Sequence, residues 1–341
     1  MSNQPPIEVP QGAIRLNTDS QRLEFFAQDR WYEMATNTPV LDGGARGFSI
    51  GGNNPGFTNT IEFITIAIQS DGTDFGDLTV PRRDNGATGS VTRAVIGGGQ
   101  QPGPANSNII DSVEFASQSN CTDFGDLTVA RRNMEATGTQ NRAVFVGGQT
   151  PTQQDVIDYV TIAESGNAVD FGNLTATKKN VGAAASPTRS LIFGGEQGAA
   201  PSSSMLSTID FITTSTLGNA EDFGDLTEAR SGAGGVSSST RAVAVNGYPA
   251  PGAVNTMDFV TIATLGNATD FGELSVQRSS AAGVSSPTRS VFAGGYTNPA
   301  ATHTTTMDYV NNMTQGDAVD FGDQSVNRDQ MGSFSNAHGG L

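Results

Sequence analysis

Positive charge is scarce in this chain of 341 residues: 18 Lys and Arg stand against 34 Asp and Glu, for a formal charge of −16. Such a surface repels a phosphate backbone, and no basic stripe offsets it, so direct nucleic-acid binding is not expected. There is one cysteine, Cys121, which excludes an intramolecular disulfide and leaves packing to stabilise the chain. It precedes a repeated phrase at a place where other copies carry Ala or Gly, and it reads as a bystander. His303 and His338 are the only histidines, so neither a Ser-His-Asp arrangement nor a histidine-based zinc site is supported. No stretch approaches the roughly 18 apolar residues of a membrane-spanning helix. The start, Met1-Ser2-Asn3-Gln4-Pro5-Pro6, lacks the charged and apolar regions of a signal peptide, so neither membrane insertion nor signal-directed secretion is expected. Lysine is almost absent and aromatic residues make up 7%, while 42 glycines and abundant Thr and Ser suit short strands and tight turns rather than surface helices.

What the chain has is repetition. The phrase Asp-Phe-Gly-[Asp/Asn/Glu]-[Leu/Gln]-[Thr/Ser] occurs six times, with Phe at 75, 124, 171, 223, 271 and 321, at spacings of 49, 47, 52, 48 and 50 residues. A period near 50 without a helical signature predicts blades of a β-propeller, because one small sheet cannot bury its own apolar faces and must stack on its neighbours. Each unit offers four strand-like runs. In the unit ending at Phe271 they are Ser231 to Ser238, Arg241 to Gly247, Thr256 to Ala263 and Asp270 to Val276.

Counting runs tests closure. Second, third and fourth runs each occur six times, the first run before Arg46 is missing, and an extra one, Met331 to Asn336, follows the last fourth run. The C-terminal strand is therefore expected to complete the sheet begun by Gly47 to Ile50, which leaves the ring without an open edge.

Gly294-Gly295, Tyr309, Phe321 and Arg328 stand in an order that resembles the kelch motif, although Phe occupies the usual Trp position and Asn246 replaces one glycine of a pair. The resemblance implies a six-bladed, kelch-like all-β propeller. Asp-Phe-Gly also holds magnesium in protein kinases, but six copies without a Gly-rich phosphate loop, a strand lysine or a His-Arg-Asp loop exclude that reading. The Phe is expected to pack between blades, and the Gly to allow a tight turn beside it. Acid pairs such as Asp74/Asp77 and Asp123/Asp126 are hard oxygen donors suited to calcium. Asx-turns are the simpler account, since Asn173 and Glu273 show that no fixed charge is demanded there. No metal, cofactor or catalytic site is assigned.

A basic residue follows each fourth strand (Arg83, Arg132, Lys179, Arg230, Arg278, Arg328), and an acid precedes the third-strand aromatic (Glu62, Glu114, Asp158, Asp210, Asp258, Asp308). Charges in register predict ion pairs between blades; a functional ring of arginines around the channel is the alternative. The stretches between second and third strands vary most and contain Tyr248 and Tyr296, plausible stacking residues for a partner.

Residues 12–40 carry three β-like runs, Ala13 to Asn17, Arg22 to Ala27 and Arg30 to Met34, and concentrate Phe25, Phe26, Trp31 and Tyr32. Three short strands are marginal alone, so this meander is expected to pack on the propeller or on another subunit, with residues 1–11 as an extended arm along a neighbour and residues 41–341 as the propeller. The Gly12-Ala-Ile-Arg-Leu-Asn-Thr-Asp19 hairpin is similar to one in virion structural and tail-fibre-like proteins of T4-like marine cyanophages, as are the repeated Thr-Arg, Gly-Gly and Asp-Phe-Gly-Asp-Leu-Thr phrases. That resemblance implies a non-enzymatic virion protein, anchored to other virion proteins by its N-terminal segment. The alternative it leaves open is a receptor-binding adhesin for host surface glycan or protein.

Overall fold

The computed structural model describes residues 10, 12–17, 22–28, 30–33, 45–115, 118–198, 204–248, 252–298 and 300–341. The chain divides into two compact units, Met1–Leu41 and Asp42–Leu341. In the first, strands Ile14–Asn17, Arg22–Ala27 and Arg30–Glu33 form an antiparallel meander.

The second unit is all β, with no helix among its described residues, and forms a six-bladed propeller. Blade 1 is Gly332–Ser335, Arg46–Ile50, Thr60–Thr65 and Thr73–Asp77; blade 2 is Gly86–Gly89, Arg93–Gly97, Ile109–Glu114 and Thr122–Asp126. Blade 3 is Glu135–Gly138, Arg142–Val146, Val156–Thr161 and Val169–Asn173; blade 4 is Gly182–Ala185, Arg189–Phe193, Thr208–Thr213 and Glu221–Asp225. Blade 5 is Gly234–Ser237, Arg241–Val245, Thr256–Thr261 and Thr269–Glu273; blade 6 is Ala282–Ser285, Arg289–Ala293, Thr306–Asn311 and Val319–Asp323. All neighbouring strands are antiparallel, and the first named in each blade lies innermost. Closure follows the expected scheme: Gly332 pairs with Ile50, Phe334 with Phe48 and Ser335 with Gly47.

The inner strands are small-residue segments because six of them must converge on one axis. Second strands are apolar and buried, since both faces meet neighbouring blades. The six repeated Phe side chains are 1 to 3% exposed and pack across the blade joints. Phe124 of blade 2, for example, lies in a cluster with Phe145 and Val160 of blade 3. Burying such a ring contributes about 2 to 3 kcal/mol. In five blades the Phe also meets a third-strand aromatic edge-on, as Tyr159 meets Phe171 at 5.9 Å between centroids. Blade 2 has Ser112 in that place.

The Gly after each Phe sits on a β-bulge and touches the next blade. Gly172 has φ 150°, and a Cβ there would fall well inside contact distance of the Gly218 carbonyl oxygen. Beside it the Asn219 side-chain oxygen accepts from the Asn173 N–H at 3.0 Å, while the Ala220 N–H donates to the Asn173 carbonyl at 2.8 Å. Cys121 takes the Ala220 position in blade 2, where burial pushes its thiol up to about 12, so it is an inert packing residue.

Candidate functional site

The conserved geometry of the repeat is blade-to-blade bonding. In each joint a third-strand carboxylate accepts from the hydroxyl and N–H of the Thr or Ser ending the repeat phrase, and from a buried cation. Asp158 receives the Thr128 Oγ1 at 2.7 Å, the Thr128 N at 3.1 Å and the Arg131 Nη1 at 2.8 Å. The set is Arg82–Asp111, Arg131–Asp158, Lys178–Asp210, Arg230–Asp258, Arg278–Asp308 and Arg328–Glu62, every side chain 2% exposed or less. Ion pairs between blades are thus present, but the register differs from the sequence expectation at three joints. Arg82, Arg131 and Lys178 point inward, not Arg83, Arg132 and Lys179, because the pleat turns the first of each basic pair toward the joint. In blade 2 the partner is Asp111 rather than Glu114, which instead meets Arg93 at 2.7 Å on the surface.

A second ring uses the Arg that opens each second strand. Arg46, Arg93, Arg142, Arg189, Arg241 and Arg289 each donate to a backbone carbonyl of the next blade, at Phe115, Ile162, Thr214, Ile262, Asn312 and Ile66. Five of them lie over a third-strand aromatic; Arg289 is 4.4 Å from the Tyr309 centroid. These arginines join blades and do not line the channel.

A third ring encircles the axis. Asp84, Asn133, Asn180, Gly232, Ser280 and Gln330 all have φ between 53° and 63°. Asp, Asn and Gly are suited to this left-handed region. Each N–H donates to the carbonyl of the preceding one, from Asn133 to Asp84 at 3.1 Å and so on, closing from Asp84 to Gln330 at 2.9 Å. This ring and the loops between second and third strands share one face, here the loop face.

The opposite end of the axis is covered by the chain itself. His338 Nε2 lies 3.1 Å from the Gly89 carbonyl, its Nδ1 accepts from the Gly340 N–H, and Gly339 and Gly340 lie against the carbonyls of Ser238, Ala185 and Gly138. A side chain at either glycine would collide with those carbonyls. Burial pushes the His338 imidazole down to about 4, so the ring is neutral and donates from Nε2. An axial cavity of about 60 Å3 is lined by inner-strand residues, mostly Ala, Gly, Ser and Thr with Val236, Val284 and Phe334, and Glu135 is their one charged residue. Burial pushes Glu135 up to about 8, opposed by the Ala136 N–H.

The candidate partner residues fall in two places. Tyr248 and Tyr296 emerge on the loop face, 43% and 39% exposed, each directly after the last glycine of the turn that follows a second strand. The Tyr296 ring meets His303 edge-on at 5.5 Å, and His303 Nδ1 is 3.3 Å from Asp329. In the N-terminal unit, Phe26 and Trp31 meet edge-on at 5.3 Å, and Arg15 lies over Trp31 at 4.1 Å while pairing with Glu24. The Tyr32 hydroxyl donates to Gln28. Phe25 pairs with Ile14 and Tyr32 in strand register, but its side chain lies outside the described residues, as do residues 1–9 of the expected arm. Among the described residues, no three His, Cys, Asp or Glu side chains are grouped so as to hold an ion. Nor is any described helix long and apolar enough to cross a membrane. Comparison with protein-family models finds no match, and comparison with curated proteins finds none either.

Proposed function

We propose that this chain is a non-enzymatic component of a phage particle: a rigid propeller held by its N-terminal segment to other virion proteins, with the loop face turned outward. One observation carries the display reading. The repeat spends its recurring charges and aromatics on blade joints, while the differences between blades collect on the loops of a single face. The assignment to a virion rests on the resemblance of the hairpin and repeat phrases. Cryo-electron microscopy of intact particles, with full-length chain and with residues 1–40 removed, tests it. Loss of the truncated chain from particles, with the propeller still folded, supports the anchor; retention, or absence of the full-length chain from particles, refutes it.

A second reading, an adhesin whose loops contact host surface glycan or protein, is favoured by the exposed pair Tyr248 and Tyr296. Tyrosine offers large contact area at low entropic cost. Binding of the isolated full chain to host envelope material, lost on changing both tyrosines, distinguishes this role from passive decoration.

A further inference from the structure

The loop face carries charge that the blade joints leave unused. Apart from Arg15, Arg22 and Arg30 in the N-terminal unit, the chain's 18 cationic side chains fall into three sets. Six are buried against third-strand carboxylates, six reach from a second strand to the next blade's carbonyls, and Arg83, Arg132 and Lys179 remain. These three precede the left-handed ring residues in three consecutive blade connections; the matching places elsewhere hold Ser231, Ser279 and Asp329.

Each place bridges the residue just after the last glycine of the turn that follows a second strand. Arg83 pairs with Gln100, Arg132 with Gln149, Lys179 with Glu196, Ser231 with Tyr248, Ser279 with Tyr296 and Asp329 with Asn53. The rim is therefore divided. Three consecutive connections present cations beside polar side chains, and the next two present a serine beside an exposed tyrosine.

Arg83 is held by Gln100 at 3.1 Å, by the Phe57 ring and by Asp84 at 3.8 Å, and Lys179 is 3.6 Å from Glu196. Arg132, between them, has no ion pair among the described residues, although Asp84 lies within the field of all three cations. Arg132 lies on the connection between those that carry Arg83 and Lys179 and is bridged to Gln149, and a guanidinium so placed in a chain of net charge −16 suits one acidic group of a ligand. The two tyrosines supply apolar faces with polar tips.

We propose that this rim binds an acidic glycan, with a sugar carboxylate or sulfate at Arg132 between Arg83 and Lys179, and sugar rings against Tyr248 and Tyr296. The inference rests on the adhesin reading above and names the ligand class of that face. A glycan suits the serines and amides spread along the rim, whose neutral donors and acceptors match sugar hydroxyls, and poly-glutamate tests the peptide alternative.

The test is fluorescence anisotropy of a labelled polyuronate hexasaccharide with the full chain, against a neutral maltohexaose and poly-glutamate. Saturable binding to the polyuronate, weakened by salt, is expected. Arg132→Gln should lower affinity about tenfold without moving the melting temperature, as loss of one charge-assisted contact requires. Tyr248→Ala with Tyr296→Ala should weaken it similarly, and Arg30→Gln should not. An unchanged affinity in Arg132→Gln overturns the proposal. Equal binding of the neutral sugar overturns it while leaving the adhesin reading standing, and stronger binding of poly-glutamate overturns it in favour of a peptide partner. Binding of no probe overturns it too; the adhesin reading falls with it only if particles carrying the double tyrosine variant adsorb to host cells unchanged.

Discussion

Removing one joint carboxylate gives the sharpest measure of what holds the ring. Asp158→Ala deletes the acceptor of three hydrogen bonds and leaves Arg131 fully buried, with only the carbonyls of Gly147, Phe145 and Val129 to meet its guanidinium. Breaking a buried pair in this way costs about 3 to 5 kcal/mol, most of it the stranded charge. For a cooperative unit of this size 1 kcal/mol moves the melting temperature by about 2 °C, so a fall of about 6 to 10 °C is expected in calorimetry. The surface pair Arg93–Glu114, with Glu114 64% exposed, serves as the control, because Glu114→Ala should cost less than about 1 kcal/mol. Replacing both buried partners, Arg131→Met with Asp158→Leu, should recover most of the loss, since no charge is then left without a partner. A shift in Asp158→Ala no larger than in Glu114→Ala would refute the view that these pairs fix the joints.

Three further outcomes follow from the same geometry. Deleting residues 330–341 removes the inner strand of blade 1, the Phe334 packing and the axial plug, and should lower the melting temperature by well over 10 °C in calorimetry or abolish folding. Gly172→Ala, at φ 150° against the Gly218 carbonyl, should cost about 2 kcal/mol or more in urea denaturation, whereas Gly56→Ala, with open space around it and no positive φ, should cost less. Glu135 is held protonated in the fold, up to about 8 against an ordinary 4.5, so its contribution is fully present below pH 4.5 and is lost as pH rises toward 8. Glu135→Gln should therefore melt higher than the parent at pH 8 and match it near pH 4; equal melting at pH 8 would refute the assignment.

The ring was legible in the sequence because its signals are periodic: six Phe at near-even spacing, and an unbalanced count of first runs that the pairing of Phe334 with Phe48 resolves. Register was less legible. Arg82-Arg83, Arg131-Arg132 and Lys178-Lys179 are tandem cations, and only the pleat beyond the preceding turn decides which one enters the joint. Glu114 misled because it precedes Phe115 as other acids precede their aromatics, yet Phe115 stands three residues beyond the usual aromatic place, which Ser112 occupies. The left-handed ring was hidden because its six members share a backbone conformation and not a residue type. On the loop face the sequence marked Tyr248 and Tyr296, but the three cations became distinct only after twelve others were assigned to joints.

The closed ring of six peptide hydrogen bonds around the axis behaves like a hoop on a barrel. Together with the ion pairs and arginine spans farther out, it ties each blade to both neighbours at several radii and on both faces. To tilt or slip, one blade must break all of these ties on at least one side at once, so a sideways pull on the loop face spreads through the whole disc. A body built this way resists local distortion because no blade can move without its neighbours.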